Sequence, residues 1–457
     1  MSAVALRPER QQDIRSAVLD GPILPPLARL SLPTIAVLVA QTVVGVAETY
    51  YVARLGSDAL VGVAAVFPLW MLMTMMSAGG MGGGVAAAVS NAIGAGHHDD
   101  ADALLFHAVV LAVLIGAGFS AAMWLAGPII YGALGLQGAP IDEALRYSNW
   151  LFLCSVPIWT VNLCSAALRG SGDVKTPARI SLAGIVTLVP LSPLLIFGFG
   201  PLQGMGITGA GVAVTLFYAA AAVFLLRLLR QGRTNLSLRR HRLDRKAFGR
   251  ILGVGLLSSL SVVQLNLAVV LVTAAAGHFG AEALAGYGIA SRVEYLLVPV
   301  LFGLGSAVLT MVGTCTGAGD VARAKRIAIV GTGIAAGFAG AVGLILAARP
   351  TVWLGLFTKD PAIFAAGSTY LRIMAIAYPA LATAFLLAFV SQGSGRPAWT
   401  TIAGTVRLAI AGGLGWLAIF HLGGSYVALA LIVACSQAAA ALLSIWAFAS
   451  GKLWIRA

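Results

Sequence analysis

The chain has 457 residues, of which 59% are hydrophobic and 10% charged, and its mean hydropathy is +0.94. Soluble domains carry about 25% charged residues to solvate their surface, so this composition excludes a water-soluble protein and turns most of the exterior toward lipid. The net charge of +13 does not point to nucleic acid, because the basic residues gather between apolar stretches, as topology signals do.

Residues 1–28 carry Arg7, Glu9, Arg10, Asp13, Arg15 and Asp20 with no apolar run before Pro22, which reads as a cytosolic tail and not a cleaved leader. Apolar stretches long enough to span a bilayer then follow at 30–55, 59–94, 103–126, 144–168, 178–199 and 206–230. A basic linker, 231–248, separates them from 249–276, 282–317, 326–348, 367–392, 398–420 and 424–450, and residues 451–457 form a short tail. The expected fold is all-α and integral to the membrane, with twelve helices in two six-helix lobes, 29–230 and 249–450. The second and eighth stretches exceed the bilayer thickness, and Pro68 with the run Gly79-Gly80-Met81-Gly82-Gly83-Gly84 supplies a bend in the second.

With the N-terminus inside, 22 of the 29 Lys and Arg residues fall on the cytosolic side, nine of them between Arg227 and Arg250. Only Arg54, Arg146, Arg349, Lys359 and Arg372 fall outside, and Arg292 and Arg407 lie within spans. Both termini are therefore expected in the cytoplasm.

The halves repeat one plan. Leu55-Gly56-Ser57-Asp58 matches Phe279-Gly280-Ala281-Glu282 at an offset of 224; Gly94-Ala95-Gly96 matches Gly317-Ala318-Gly319, and Gly170-Ser171-Gly172 matches Gly393-Ser394-Gly395, at 223. Six spans per repeat make the repeats parallel, related by an axis along the membrane normal.

Two carboxylates lie within spans, Glu48 and Glu294, where a charge costs about 2.5–3.5 kcal/mol on insertion scales. Thr34, Gln41 and Glu48 recur at intervals of seven and share one helix face. Burial favours the neutral form of a carboxyl and an approaching cation the charged form, so Glu48 is either a coupling group or the acceptor of a structural hydrogen bond. Glu294 is open to the same two roles, with Arg407 as a partner. Ser259, Asn266 and Thr273 repeat the stripe in the seventh span without an acid.

Substrate-cavity candidates are Trp70, Met71 and Met75 in the second span, Asn149 and Asn162 in the fourth, Asn266, and Tyr378 with Tyr370 in the tenth; the methionines equally suit packing or lipid contact. The run His97-His98-Asp99-Asp100-Ala101-Asp102 suits a helix N-terminus better than a metal site, because its repeat partner Gly319-Asp320 starts a helix without histidine. Cys154, Cys164, Cys315 and Cys435 form no CxxC pair and read as small buried side chains. No HExxH, GxSxG or nucleotide-binding pattern is present, so neither an enzyme nor direct ATP drive is expected.

The segment Val46-Ala47-Glu48-Thr49-Tyr50-Tyr51-Val52-Ala53-Arg54-Leu55-Gly56 resembles the end of the first helix in the multidrug and toxic compound extrusion (MATE) family, and Ser291-Arg292-Val293-Glu294 resembles its Arg-x-Glu segment in helix eight. The likeness covers nearly the whole chain. It implies two six-helix lobes, cation-driven export of amphipathic and often cationic compounds from the bacterial inner membrane, and a coupling role for Glu48. The chain reads Leu191-Ser192-Pro193-Leu194 where relatives often read Leu-Asp-Pro-Leu, and the seventh and tenth helices lack the acids of sodium-coupled members. These departures turn the expectation toward proton coupling, with no cofactor, a small-molecule substrate and a working monomer. A flippase for lipid-linked precursors and a non-transporting scaffold are the alternatives.

Overall fold

The computed structural model describes residues 15–200 and 202–454; Arg7, Glu9, Arg10, Asp13 and Arg456, used in the topology reading, lie outside the described residues. Its spanning helices are α1 (Leu24–Ala53), α2 (Ser57–Gly94), α3 (His98–Ala133), α4, α5 (Lys175–Phe197) and α6 (Ile207–Arg230), followed by α7 (Arg245–Gly277), α8 (Ala281–Gly317), α9 (Val321–Ala348), α10 (Pro361–Gly393), α11 (Ala398–Phe420) and α12 (Tyr426–Ala449). α4 is a bent pair, Ala139–Leu153 and Ser155–Gly170, at 46° to one another. Eleven helices are thus long and apolar enough to cross a bilayer, and twelve when the bent pair counts as one span. Gly198–Phe199 and Leu202–Gln203 form a small antiparallel hairpin between α5 and α6.

Several helices overrun their apolar stretches because polar side chains complete the first turn. α10 starts at Pro361 and not near 367, since Asp360 Oδ1 accepts the N–H groups of Ala362 and Ile363 at 2.8 and 3.2 Å. Asp320 caps α9 in the same way, accepting from Arg323 N–H at 2.9 Å. At α3 the N-cap is His97 without a side-chain cap, and Asp99 and Asp100 sit in the first turn, where negative charge complements the helix dipole. α2 contains a π-helical stretch, Met76–Met81, at the start of its glycine run, and α11 has a second one at Ala409–Leu414. Of the four cysteines, Cys435 is exposed, which corrects the expectation that all are buried.

The chain packs as two compact units. The first contains Arg15 and Ala36–Leu252; the second contains Ser16–Ile35 and the chain from Gly253 onward. The divisions fall inside α1 and α7, and so differ from the sequence boundaries at 29 and 231–248. The first turns of α7 belong to the first unit because the Phe248 ring packs on His107 at 4.7 Å and Arg250 reaches Asp100 at 3.9 Å. Ser16–Ile35 belongs to the second because the Arg323 guanidinium donates to the carbonyl oxygens of Val18 and Gly21, and Gly303 leaves room for Ile35.

The internal repeat appears as repeated backbone geometry. Gly56 and Gly280 take φ of 112° and 101°, Gly96 and Gly319 77° and 82°, Gly172 and Gly395 81° and 78°. Each is the left-handed region that glycine enters without a side-chain clash. Close helix approaches repeat as well. A Cβ on Gly170 would lie 2.5 Å from the Ala86 carbonyl oxygen, and one on Gly393 would lie 2.7 Å from that of Leu309. A Cβ on Gly62 would lie 2.9 Å from Ala144 N, and one on Gly286 2.6 Å from Gly367 N. Partners and glycines alike are displaced by 223 or 224 positions, so both units use the same contacts inside.

Candidate functional site

Glu48 lies near the end of α1, in the first unit. Its side chain is half-buried, and Oε1 is inaccessible to solvent and has no hydrogen-bond partner. Two tyrosines of the same unit, Tyr147 on α4 and Tyr218 on α6, lie within the reach of its charge. The Tyr218 ring meets Trp70 of α2 edge to face at 6.1 Å. Beside this group an apolar cluster of Val52, Ala59, Ile196, Ile207 and Ala210 packs with Tyr51, Leu55, Val63 and Tyr147. A buried carboxylate oxygen without a donor is costly.

The second unit carries a counterpart. Thr273, matched to Glu48 by the repeat, donates its hydroxyl to the Val269 carbonyl at 2.7 Å. The Tyr287 ring stands edge to face with Tyr370 at 5.0 Å, and Tyr370 is the repeat partner of Tyr147. Tyr370 and Tyr378, both buried, lie within the field of Glu294, as does Arg407 of α11. Among the described residues Glu294 and Arg407 form no ion pair inside 4 Å. Arg292 is exposed. A double-mutant cycle on Glu294→Gln and Arg407→Gln, followed by thermal unfolding in detergent, is expected to return an interaction of about 0.5–3 kcal/mol. Strict additivity would show that each charge is satisfied without the other.

The remaining candidates divide. Asn162 donates to the Ser77 hydroxyl at 2.7 Å and so braces the π-helical stretch of α2. Asn266 turns back on its own helix, donating to the Val262 carbonyl at 2.9 Å. Asn149 is exposed, and its carbonyl accepts from Trp124 Nε1 at 3.3 Å. Met71 and Met75 are half-buried. Gln41 is exposed, Thr34 is buried in the second unit, and Glu48 belongs to the first. Gln264, which the sequence reading passed over, donates to Thr405 at 2.8 Å between α7 and α11. Among the described residues no group of three His, Cys, Asp or Glu side chains is arranged to hold a metal ion.

Two helical units with parallel internal plans, each built of bilayer-length helices, define a polytopic membrane transporter fold. The MatE family model matches residues 33–194 and 258–417, and the chain belongs to that family of transporters. It is 26% identical over 406 residues to a protein named FAD transporter from Shewanella oneidensis, covering 87% of this chain and 88% of that one. It is 28% identical over 355 residues to the probable multidrug resistance protein NorM of Thermotoga maritima, covering 77% and 75%. A MOP superfamily transporter from Pyrococcus furiosus superposes with a TM-score of 0.87 at 23% identity, over 96% of this chain and 97% of that one. An outward-facing multidrug resistance MATE family transporter gives 0.86 at 23% identity, over 95% and 98%.

Proposed function

We propose that this transporter exports amphipathic organic cations in exchange for protons, by alternating access, with Glu48 as the group that takes and releases the proton. The observation that carries this reading is the solvent-inaccessible, unpartnered Oε1 of Glu48 beside Tyr147 and Tyr218. Protonated, the side chain sits there at little cost; ionised, it needs the cation that it binds. Preference for a proton over sodium rests on Ser192, which is fully buried with an unpartnered hydroxyl at the position where a second carboxylate would help hold a metal cation. The protein would act as a monomer in the bacterial inner membrane, with both termini cytoplasmic.

A second reading takes its motive from the relative named FAD transporter, which aligns over 87% of this chain. In that reading Arg407, half-buried in a span of the second unit, meets a dinucleotide pyrophosphate and the cargo is anionic. Proteoliposomes given a pH gradient or a sodium gradient, and offered either ethidium or FAD, decide between them. Ethidium movement under the pH gradient alone supports proton antiport of cations, and FAD movement supports the second reading. If neither moves under either gradient, both readings fall and a lipid-linked precursor becomes the substrate to test.

A further inference from the structure

The connection between α6 and α7 is basic, as positive-inside topology requires, but it is also fastened. Ser237 N–H donates to Asp102 Oδ1 at 2.8 Å, and Asp244 N–H donates to His107 Nε2 at 2.9 Å. Asn235 Nδ2 donates to the Ser171 carbonyl at 3.1 Å, and Leu238 N–H to that of Leu229 at 3.1 Å. Thr234, Asn235, Leu236 and Ser237 are all buried. Every one of these contacts lies inside the first unit. Charge alone satisfies the topology rule, and a loose loop would serve it equally well. Pinning a strap by main-chain bonds to buried side chains costs conformational entropy, and it sets which residues face outward. Arg233, Arg239, Arg240, Arg242, Arg245 and Lys246 are exposed, opposed within the strap only by Asp244, and Leu243 stands 64% exposed among them.

We propose that the strap 233–246 is a docking surface for the head groups of anionic membrane lipids. The arginines meet the lipid phosphates, and Leu243 enters the apolar layer behind them. Three observations point to lipid. The strap joins the ends of two spanning helices, which places it at a bilayer surface. Its outward charge is of one sign but for Asp244, complementary to an anionic head group. Its one large exposed apolar side chain lies among the cations, a pattern that suits an interface of phosphate above and hydrocarbon below.

The test is native mass spectrometry of the purified full-length chain, titrated with equal amounts of phosphatidylglycerol and phosphatidylcholine. Wild type is expected to retain phosphatidylglycerol preferentially. Joint substitution of Arg239→Gln, Arg240→Gln and Arg242→Gln is expected to cut that preference by about tenfold or more. The control substitutes Arg349→Gln, Lys359→Gln and Arg372→Gln, and is expected to leave the preference unchanged. Asp102→Ala separates a fastened surface from net charge. It makes the protein more positive, so a pure charge effect would strengthen phosphatidylglycerol binding, whereas loosening the strap weakens it. Asn235→Ala repeats the comparison with no change of charge and is expected to weaken binding in the same way. Equal losses in the two triple variants would overturn the proposal, as would an undiminished preference in the strap triple or in the folded unpinned variants.

Discussion

In proteoliposomes with an imposed pH gradient, Glu48→Gln is expected to reduce ethidium movement to the leak of protein-free vesicles while the protein stays folded. The substitution keeps the shape of the protonated acid and removes the ability to ionise. Because Glu48 Oε1 has no hydrogen-bond partner, no polar contact at that atom depends on a carboxylate. Stability should therefore remain within about 0.5 kcal/mol, the range of substitutions that break no named interaction. Transport and stability are predicted to separate completely, and that separation distinguishes a coupling group from a structural one. Transport at wild-type rate in Glu48→Gln would remove the residue from the mechanism and move attention to Glu294, the other acid within a span. Loss of transport together with loss of the folded, monodisperse protein would mark Glu48 as structural.

The second large effect is expected at the paired glycines. Gly170→Val and Gly393→Val each place branched carbon against a carbonyl oxygen of a neighbouring helix, where even a Cβ would approach to 2.5 and 2.7 Å. The obstacle is backbone in both cases, so relief requires a helix to move. Overpacking of this kind costs about 1–3 kcal/mol and sometimes more. Each substitution should lower the apparent melting temperature in detergent by several degrees. The two sites lie in different units, so the double variant should lose about the sum of the two. A loss at one site only would mean that the repeated geometry does not carry repeated energetic weight.

Much of the fold is legible in the sequence because membrane spans are written in composition and the repeat in glycine. Gly56, Gly96, Gly172 and their partners are spaced as they are because each needs a positive φ, and such a need survives where side chains diverge. The bend at Cys154 had a signal that went unread: Pro157 lacks the N–H that would bond the Leu153 carbonyl, and the first helix of the pair ends at Leu153. The helix starts were missed by up to six residues, because caps such as Asp360 extend helices beyond the apolar run that hydropathy detects.

At the site, Glu48 announced itself as an acid where lipid would otherwise be. Tyr147 and Tyr218 did not, since they come from α4 and α6, distant in sequence, and no local pattern marks them. The repeat held a clue to the first of them, because Tyr370, picked out in the tenth span, lies 223 positions beyond Tyr147. Thr34, Gln41 and Glu48 are spaced by seven along one continuous helix, which the division into units crosses. Asp102 and His107 have partners that no local pattern could show, on main chain 135 and 137 residues further on.

The assignment of Ser16–Ile35 to the second unit bears on biosynthesis. The ribosome makes this segment well before the Gly303 and Arg323 contacts that hold it, which come some 300 residues later. At a bacterial rate of about 5–20 residues per second, the segment waits roughly 15–60 s for them. The first unit meets no comparable delay, since its own strap and helices are complete once Leu252 has emerged. An insertase or chaperone that shelters the start of α1 would therefore serve the second half of this protein more than the first.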